Sequence, residues 1–155
     1  MQAQPTACIV CFYNMDKLDI FNPDNEQARE LPLSNEHIAA GFPSPADDFP
    51  AHKLDLNHEL IKNPASTFYA RVSGVSMVDA GIDDGDLLVI DKSIEPHNNC
   101  LAVCYIDGEF TLKRFVKKSG YGLLVPANSQ FTPIKVTADN DFLIWGVVTF
   151  IIKRV

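Results

Sequence analysis

From Phe68 onward the apolar residues of this chain fall in short runs cut by glycine, asparagine, proline and aspartate, without the spacing of three and four that marks an amphipathic helix. Phe68 to Val72 is one such run, and it gives way to the turn-rich stretch Asp79 to Asp86. Leu87-Leu88-Val89-Ile90 is continuously apolar, the pattern of a strand covered on both faces. Leu123 to Val125 follows the turn formers around Ser119 to Gly122, and Pro126 to Ser129 makes a further turn. The last segment, Asp141 to Val155, holds Phe142, Ile144, Val147, Val148, Phe150 and Ile152, more apolar positions than one face of one strand needs. One stretch departs from the strand pattern. Asp55 to Ile61 predicts a short helix begun by Asp55 or Asn57, with Asn63-Pro64 ending the segment. The expected fold is therefore mainly β, a single domain of many short strands with one minor helix.

The run Ala102 to Ile106, the pair Asp107-Gly108 and the run Glu109 to Val116 predict a hairpin whose two-residue turn has both residues at positive φ. Pairing outward from that turn sets Ile106 against Glu109, Cys104 against Thr111, Ala102 against Lys113 and Cys100 against Phe115. Alternation then puts Lys113 on one face with Thr111 and Phe115, and Phe110, Leu112 and Arg114 on the other. A lysine among small and apolar neighbours loses the hydration of its charged form. Its pKa is expected to fall from about 10.4 toward the range where a neutral amine accepts a proton, and three units of fall correspond to about 4 kcal/mol. The alternative is a lysine that snorkels to the sheet edge and stays charged.

The first 40 residues read differently. Short apolar pieces, Cys8 to Tyr13 and Leu18 to Phe21, alternate with the turn formers Asn22 to Asn25 and with Pro32. Lys17 and Arg29 face six carboxylates there, a charge of −4. This predicts an extended acidic arm with one short strand at Ala7 to Tyr13, or plain disorder.

At 155 residues, with 46% hydrophobic and 21% charged, the chain has enough for one real core and no room for a second catalytic domain. Its net charge of −7 should repel phosphate backbones, so direct nucleic-acid binding is not expected. No apolar run approaches the roughly 20 residues of a spanning helix, and no basic region precedes the first apolar stretch. The expectation is a soluble cytoplasmic protein. Cys8 and Cys11 have the short spacing of a metal pair but lack a second one, and Cys100 and Cys104 lie too far apart on a strand to share an ion. Neither a metal nor another cofactor is expected, and the thiols should be reduced. Asp79, Asp83, Asp84 and Asp86 lack the closing glutamate of a calcium loop and read as a turn. His37, His52, His58 and His97 read as surface residues.

Chemistry centres on Ser73-Gly74-Val75-Ser76-Met77, where a serine at a glycine-containing bend can lift its hydroxyl out of a strand ladder. Three ordered motifs, Ser-Gly-x-Ser-Met at 73–77, Gly-Ile-x-x-Gly-Asp-Leu-Leu at 81–88 and Asp-Gly-Glu-Phe-Thr-x-Lys at 107–113, resemble the LexA/UmuD-type self-cleaving serine/lysine peptidases of the SOS response, most closely the UmuD branch. Ala40 to Ala46 is similar to the self-cleavage region of that branch, so the likeness spans about residues 40–155. The resemblance implies Ser76 as nucleophile, Lys113 as general base and Ala40-Gly41 as the cleaved bond. It divides the chain into an arm, 1–40, and a peptidase and dimerisation domain, 41–155. It also implies a homodimer, cleavage stimulated by RecA filament, and a product that joins a UmuC-like polymerase in translesion synthesis. The apolar surplus at Phe142 to Ile152 suits a strand partly covered by a second subunit, and equally a wholly internal one. Small residues at Ala40-Gly41 let a nucleophile approach, while Pro43 and Pro45 keep the following chain extended. The tether from Gly41 to Ser76 reaches about 115 Å, enough for attack within one chain or across a dimer. The Ser76 amide is a candidate oxyanion donor. Two other readings fit the residues: a non-cleaving binding subunit on the same fold, and a signal-peptidase relative, which the lack of a membrane anchor disfavours.

Overall fold

The computed structural model describes residues 18–21, 30–33 and 52–155. Its strands are β1 (Leu18–Phe21), β2 (Glu30–Leu33), β3 (His52–Asp55), β4 (Thr67–Val72), β5 (Leu87–Asp91), β6 (Cys100–Ile106), β7 (Glu109–Lys118), β8 (Tyr121–Val125), β9 (Ile134–Val136) and β10 (Phe142–Ile152). One short helix, α1 (Leu56–Leu60), and a single 3-10 turn at Val78–Ala80 complete the described elements. The mainly β expectation holds. Eight strands form one antiparallel sheet in the order β1-β4-β5-β10-β6-β7-β8-β9, and β2 pairs with β3 separately.

Local chemistry accounts for the elements. Asp55 caps α1, its carboxylate accepting from the Asn57 amide at 2.9 Å, and the helix stops where Ile61 turns extended. Asp107 (φ 49°) and Gly108 (φ 93°) make the hairpin turn, and the β6–β7 register is the one that pairing outward from it predicts, Ala102 opposite Lys113 included. β7 runs two residues past the expected end, because Lys117 and Lys118 pair with Gly122 and Tyr121 across the turn at Ser119-Gly120. The sequence pattern did not announce β9, a three-residue strand whose pairing with β8 defines it.

β10 holds the sheet together. Its first half, Phe142 to Val147, pairs with β6 and its second, Val147 to Ile152, with β5, with register shifts at Ile144/Gly146 and Val148/Phe150. Such irregularities bend a strand and raise its twist. Two cores result: one around Ala70, Met77, Ile82, Leu88, Ile90, Val103 and Leu112, the other around Ala102, Cys104, Leu124, Val136 and Val147. Both faces of β6 are therefore covered, and each fully buried aliphatic chain contributes about 1.5–3 kcal/mol. β10 is internal to the sheet, yet Phe150, Ile151 and Ile152 near its end remain exposed.

Two strands come from the first 40 residues. Leu18 to Phe21 lies along β4, Leu18 opposite Val72, and adds an edge to the main sheet; Glu30 to Leu33 lies along β3. Four residues carry too little pattern to announce a strand, and the partner makes the pairing. The expected strand at Ala7 to Tyr13 lies outside the described residues.

Where β5 ends, Asp91 is buried and accepts from the Ser93 amide at 2.7 Å, the Ser93 hydroxyl at 2.6 Å, the Ser66 hydroxyl at 2.9 Å and Asn63 Nδ2 at 2.9 Å. Burial pushes its carboxyl pKa up, but the donors from Ser93, Asn63 and Ser66 outweigh it and hold the pKa below the ordinary value. A depressed carboxylate contributes stability that is present above the unfolded pKa and is lost as pH falls through the folded one. Acid unfolding below about pH 4 should therefore include a contribution from Asp91. Replacing it by asparagine should flatten the loss of stability between pH 5 and 2, read by denaturant titration at each pH; an unchanged acid slope would refute this.

Candidate active site

The Ser76 hydroxyl and the Lys113 amine, 37 positions apart in sequence, meet at 2.8 Å. Lys113 leaves β7 two residues beyond Thr111 on the same face, as alternation requires. Its Nζ also lies 2.9 Å from Thr111 Oγ1 and 2.9 Å from the Leu112 carbonyl oxygen. Ser76 and Thr111 are each 2% exposed and Lys113 5%, so the amine does not snorkel to water. Three oxygens thus surround Nζ: the Leu112 carbonyl, which can only accept, and the hydroxyls of Ser76 and Thr111, which can accept or donate.

The loop carrying Ser76 departs from β4 through Gly74, whose φ of 111° few side-chain-bearing residues adopt. It is gripped from outside. The Gly74 amide donates to Asp84 Oδ1 at 2.8 Å, Asn128 Nδ2 donates to the Val75 carbonyl at 2.9 Å, and the Ala127 amide donates to the Ser76 carbonyl at 2.9 Å. Met77, 2% exposed, packs into the first core below. Sequence spacing held no signal for Asn128 or Ala127, which are about fifty residues downstream. The acidic stretch is the turn that was expected, but it also works structurally: Asp84 holds the loop, while Asp86 accepts from the Asp83 amide at 2.8 Å and from Lys153 at 2.9 Å. Lys153 bonds Asp83 as well. Burial pushes the Asp86 pKa up, and the Asp83 amide and Lys153 bring it below the ordinary value.

Behind Lys113 sits Cys104, opposite Thr111 and fully buried. Burial pushes its thiol pKa up to about 12, the neighbouring Cys100 adding to the rise and Lys113 opposing it. A thiol so held is inert, and both Cys100 and Cys104 are free. His58 and His97 are exposed, and Ala40, Gly41, His37, Cys8 and Cys11 lie outside the described residues. Among the described residues no helix is long and apolar enough to cross a membrane, and no three His, Cys, Asp or Glu side chains converge as a metal site would need.

Comparison with known proteins bears on the same stretch. A family model described as Peptidase S24-like matches residues 32–149. ImpA of Salmonella typhimurium is 38% identical over 133 residues, 86% of this chain and 90% of that protein. MucA of Escherichia coli is 38% identical over 135 residues, 86% of this chain and 92% of its own length, and SamA of Salmonella typhimurium 39% over 133 residues, 85% and 92%. With the matched region running through both Ser76 and Lys113 and with relatives alike over most of both chains, this chain belongs to the Peptidase S24-like family, among the UmuD-like proteins of SOS mutagenesis.

Proposed function

We propose that the chain cleaves its own Ala40–Gly41 bond through a Ser76/Lys113 dyad. The observation that carries this reading is the 2.8 Å contact between a buried amine and a buried hydroxyl. Burial favours the uncharged form of a lysine, and the uncharged form is the one that can act as a base. Lys113 Nζ takes the proton of Ser76 while Oγ bonds to the carbonyl carbon of Ala40. The tetrahedral adduct then breaks its bond to the nitrogen of Gly41, which receives the proton from Lys113 and leaves as an amine. Water, giving a proton to the same lysine, attacks the ester; its breakdown returns the hydroxyl to Ser76 and leaves a carboxylate at Ala40. The Ser76 amide is the proposed oxyanion donor.

Among the described residues β8 pairs with β7 only from Arg114 to Lys118, so the stretch of β7 that leads to Lys113 has no β8 neighbour. Pro43 and Pro45, whose rings fix φ, are residues that suit addition of the segment after Gly41 along such an edge. Cleavage of a tethered bond needs restraint. A RecA filament would accelerate it by binding the attack-ready arrangement more tightly than the resting one. The product, residues 41–155, then serves a UmuC-type polymerase, the partner that membership of this family implies. The exposed apolar end of β10 suits burial against a second copy in a homodimer.

Incubating the purified chain at alkaline pH, with and without RecA filament on single-stranded DNA, tests the reading by fragment mass. A fragment beginning at Gly41 is expected from the native chain and none from Ser76→Ala. A single stable band under both conditions would leave the fold as a non-cleaving binding module and overturn it.

A further inference from the structure

We infer that Asn128 and Asp84 are positioning residues for the self-cleavage, gripping the backbone ahead of Ser76 from two different elements and so setting the distance between its hydroxyl and Lys113. The inference rests on the Ser76/Lys113 reading. Lys113 belongs to the interior of a ten-residue strand, but Ser76 stands on an irregular loop, so the 2.8 Å separation depends on how that loop is held. Asp84, from the turn before β5, receives the amide of Gly74; Asn128, from the connection between β8 and β9, donates to the carbonyl of Val75. These contacts fall on consecutive residues, with Ser76 next in line.

The orientation of the Asn128 amide follows from its surroundings. Oδ1 accepts from the Gln130 amide at 2.9 Å, which leaves Nδ2 for the Val75 carbonyl at 2.9 Å; the reverse arrangement would set oxygen against oxygen and nitrogen against an N–H. The Asn128 turn is closed by the Phe131 amide on the Asn128 carbonyl at 3.1 Å, and Ala127 beside it accepts from the Asp79 amide at 2.8 Å. The turn is thus anchored on both sides of the loop it holds.

Opposite substitutions discriminate. Asn128→Asp keeps the acceptor for Gln130 but turns an oxygen toward the Val75 carbonyl, so the grip becomes a repulsion. Asp84→Asn is the same exchange in reverse, and it keeps an acceptor for the Gly74 amide. A displacement of about 1 Å between reacting groups costs on the order of a hundredfold in rate, so self-cleavage at alkaline pH should fall about tenfold to a hundredfold in Asn128→Asp, Asn128→Ala and Asp84→Ala. Asp84→Asn should cleave within about threefold of the native rate, because only the charge of its hydrogen bond is lost. In Asn128→Ala, which adds no charge, the rate should be lower at every pH from 7 to 11 and should not be restored by a further rise in pH, since the defect is one of placement. Rates are to be taken per folded molecule, well below each Tm. Native rates in both Asn128 variants, or Asp84→Asn as slow as Asp84→Ala, would overturn the inference. Ser76→Ala run alongside separates the levels: if it still releases the Gly41 fragment the dyad itself falls, whereas if it is inert while the Asn128 variants cut normally only the positioning role falls.

Discussion

Lys113→Ala should lower self-cleavage at alkaline pH by about a thousandfold, within the range expected for removing a general base. Lys113→Arg should be as slow, because a guanidinium keeps its charge at any pH a protein survives and offers no lone pair. The sign of the pH dependence follows from the same chemistry. The base works deprotonated, so the native rate should rise with pH through the pKa of the amine and level off above it. Lys113→Ala should not unfold the protein, since taking a charge-prone group out of a buried site is often neutral or stabilising; Lys113→Arg buries a permanent charge instead, so its rate is to be taken per folded molecule. Fragment yield against time, from pH 7 to 11, is the measurement. A Lys113→Ala chain that kept the native profile would remove the proposed base, and a Lys113→Arg chain that cut at the native rate would do the same.

Gly146→Ala should cost about 1–3 kcal/mol of stability, an overpacking penalty, although alanine is usually the gentlest replacement for glycine. A Cβ at position 146 would lie 2.6 Å from Ile90 Cγ2 and 3.4 Å from both the Asp91 carbonyl oxygen and Lys92 Cγ. Ile90 is fully buried, and a β-branched side chain has few rotamers to escape into. The residue sits at the first register shift of β10, where the strand crosses from one half-sheet to the other. For a chain of this length the Tm should drop by roughly 2–4 °C per kcal/mol. Ile90→Ala removes the Cγ2 that the new Cβ would meet, so the double variant should lose less than the sum of the two single changes. An unaltered Tm in Gly146→Ala would mean that the backbone shifts freely there. The position would then not be the tight crossing described here.

What could be read from residues alone was whatever local pattern controls. The hairpin is the clearest instance: Asp107-Gly108 accommodates positive φ, the two-residue turn admits one register, and period-two alternation then carries Thr111 and Lys113 to the same face. The start of α1 was legible as Asp55 or Asn57, because a side-chain oxygen ahead of a short apolar stretch can satisfy an orphan amide, and the structure assigns the cap to Asp55. The candidate pair Ser76 and Lys113 came from ordered motifs, which mark where the reactive groups stand and not how they face. Four-residue β1 and β2 and three-residue β9 were out of reach, since nothing within so few residues separates a strand from a loop until a partner lies beside it.

Sequence by itself determined the β class, the central hairpin and the acidic balance, because turn chemistry, alternation and charge act over a few neighbouring positions; the candidate dyad rested on the resemblance of ordered motifs. Only the tertiary structure decided that the hydroxyl and the amine meet at 2.8 Å in a nearly dry setting, and that Asp84, Ala127 and Asn128 hold the loop between them. Those contacts join positions ten to more than fifty residues apart, and no preference acting over a few neighbouring residues can set a hydrogen bond across such a separation; the pairing of strands does.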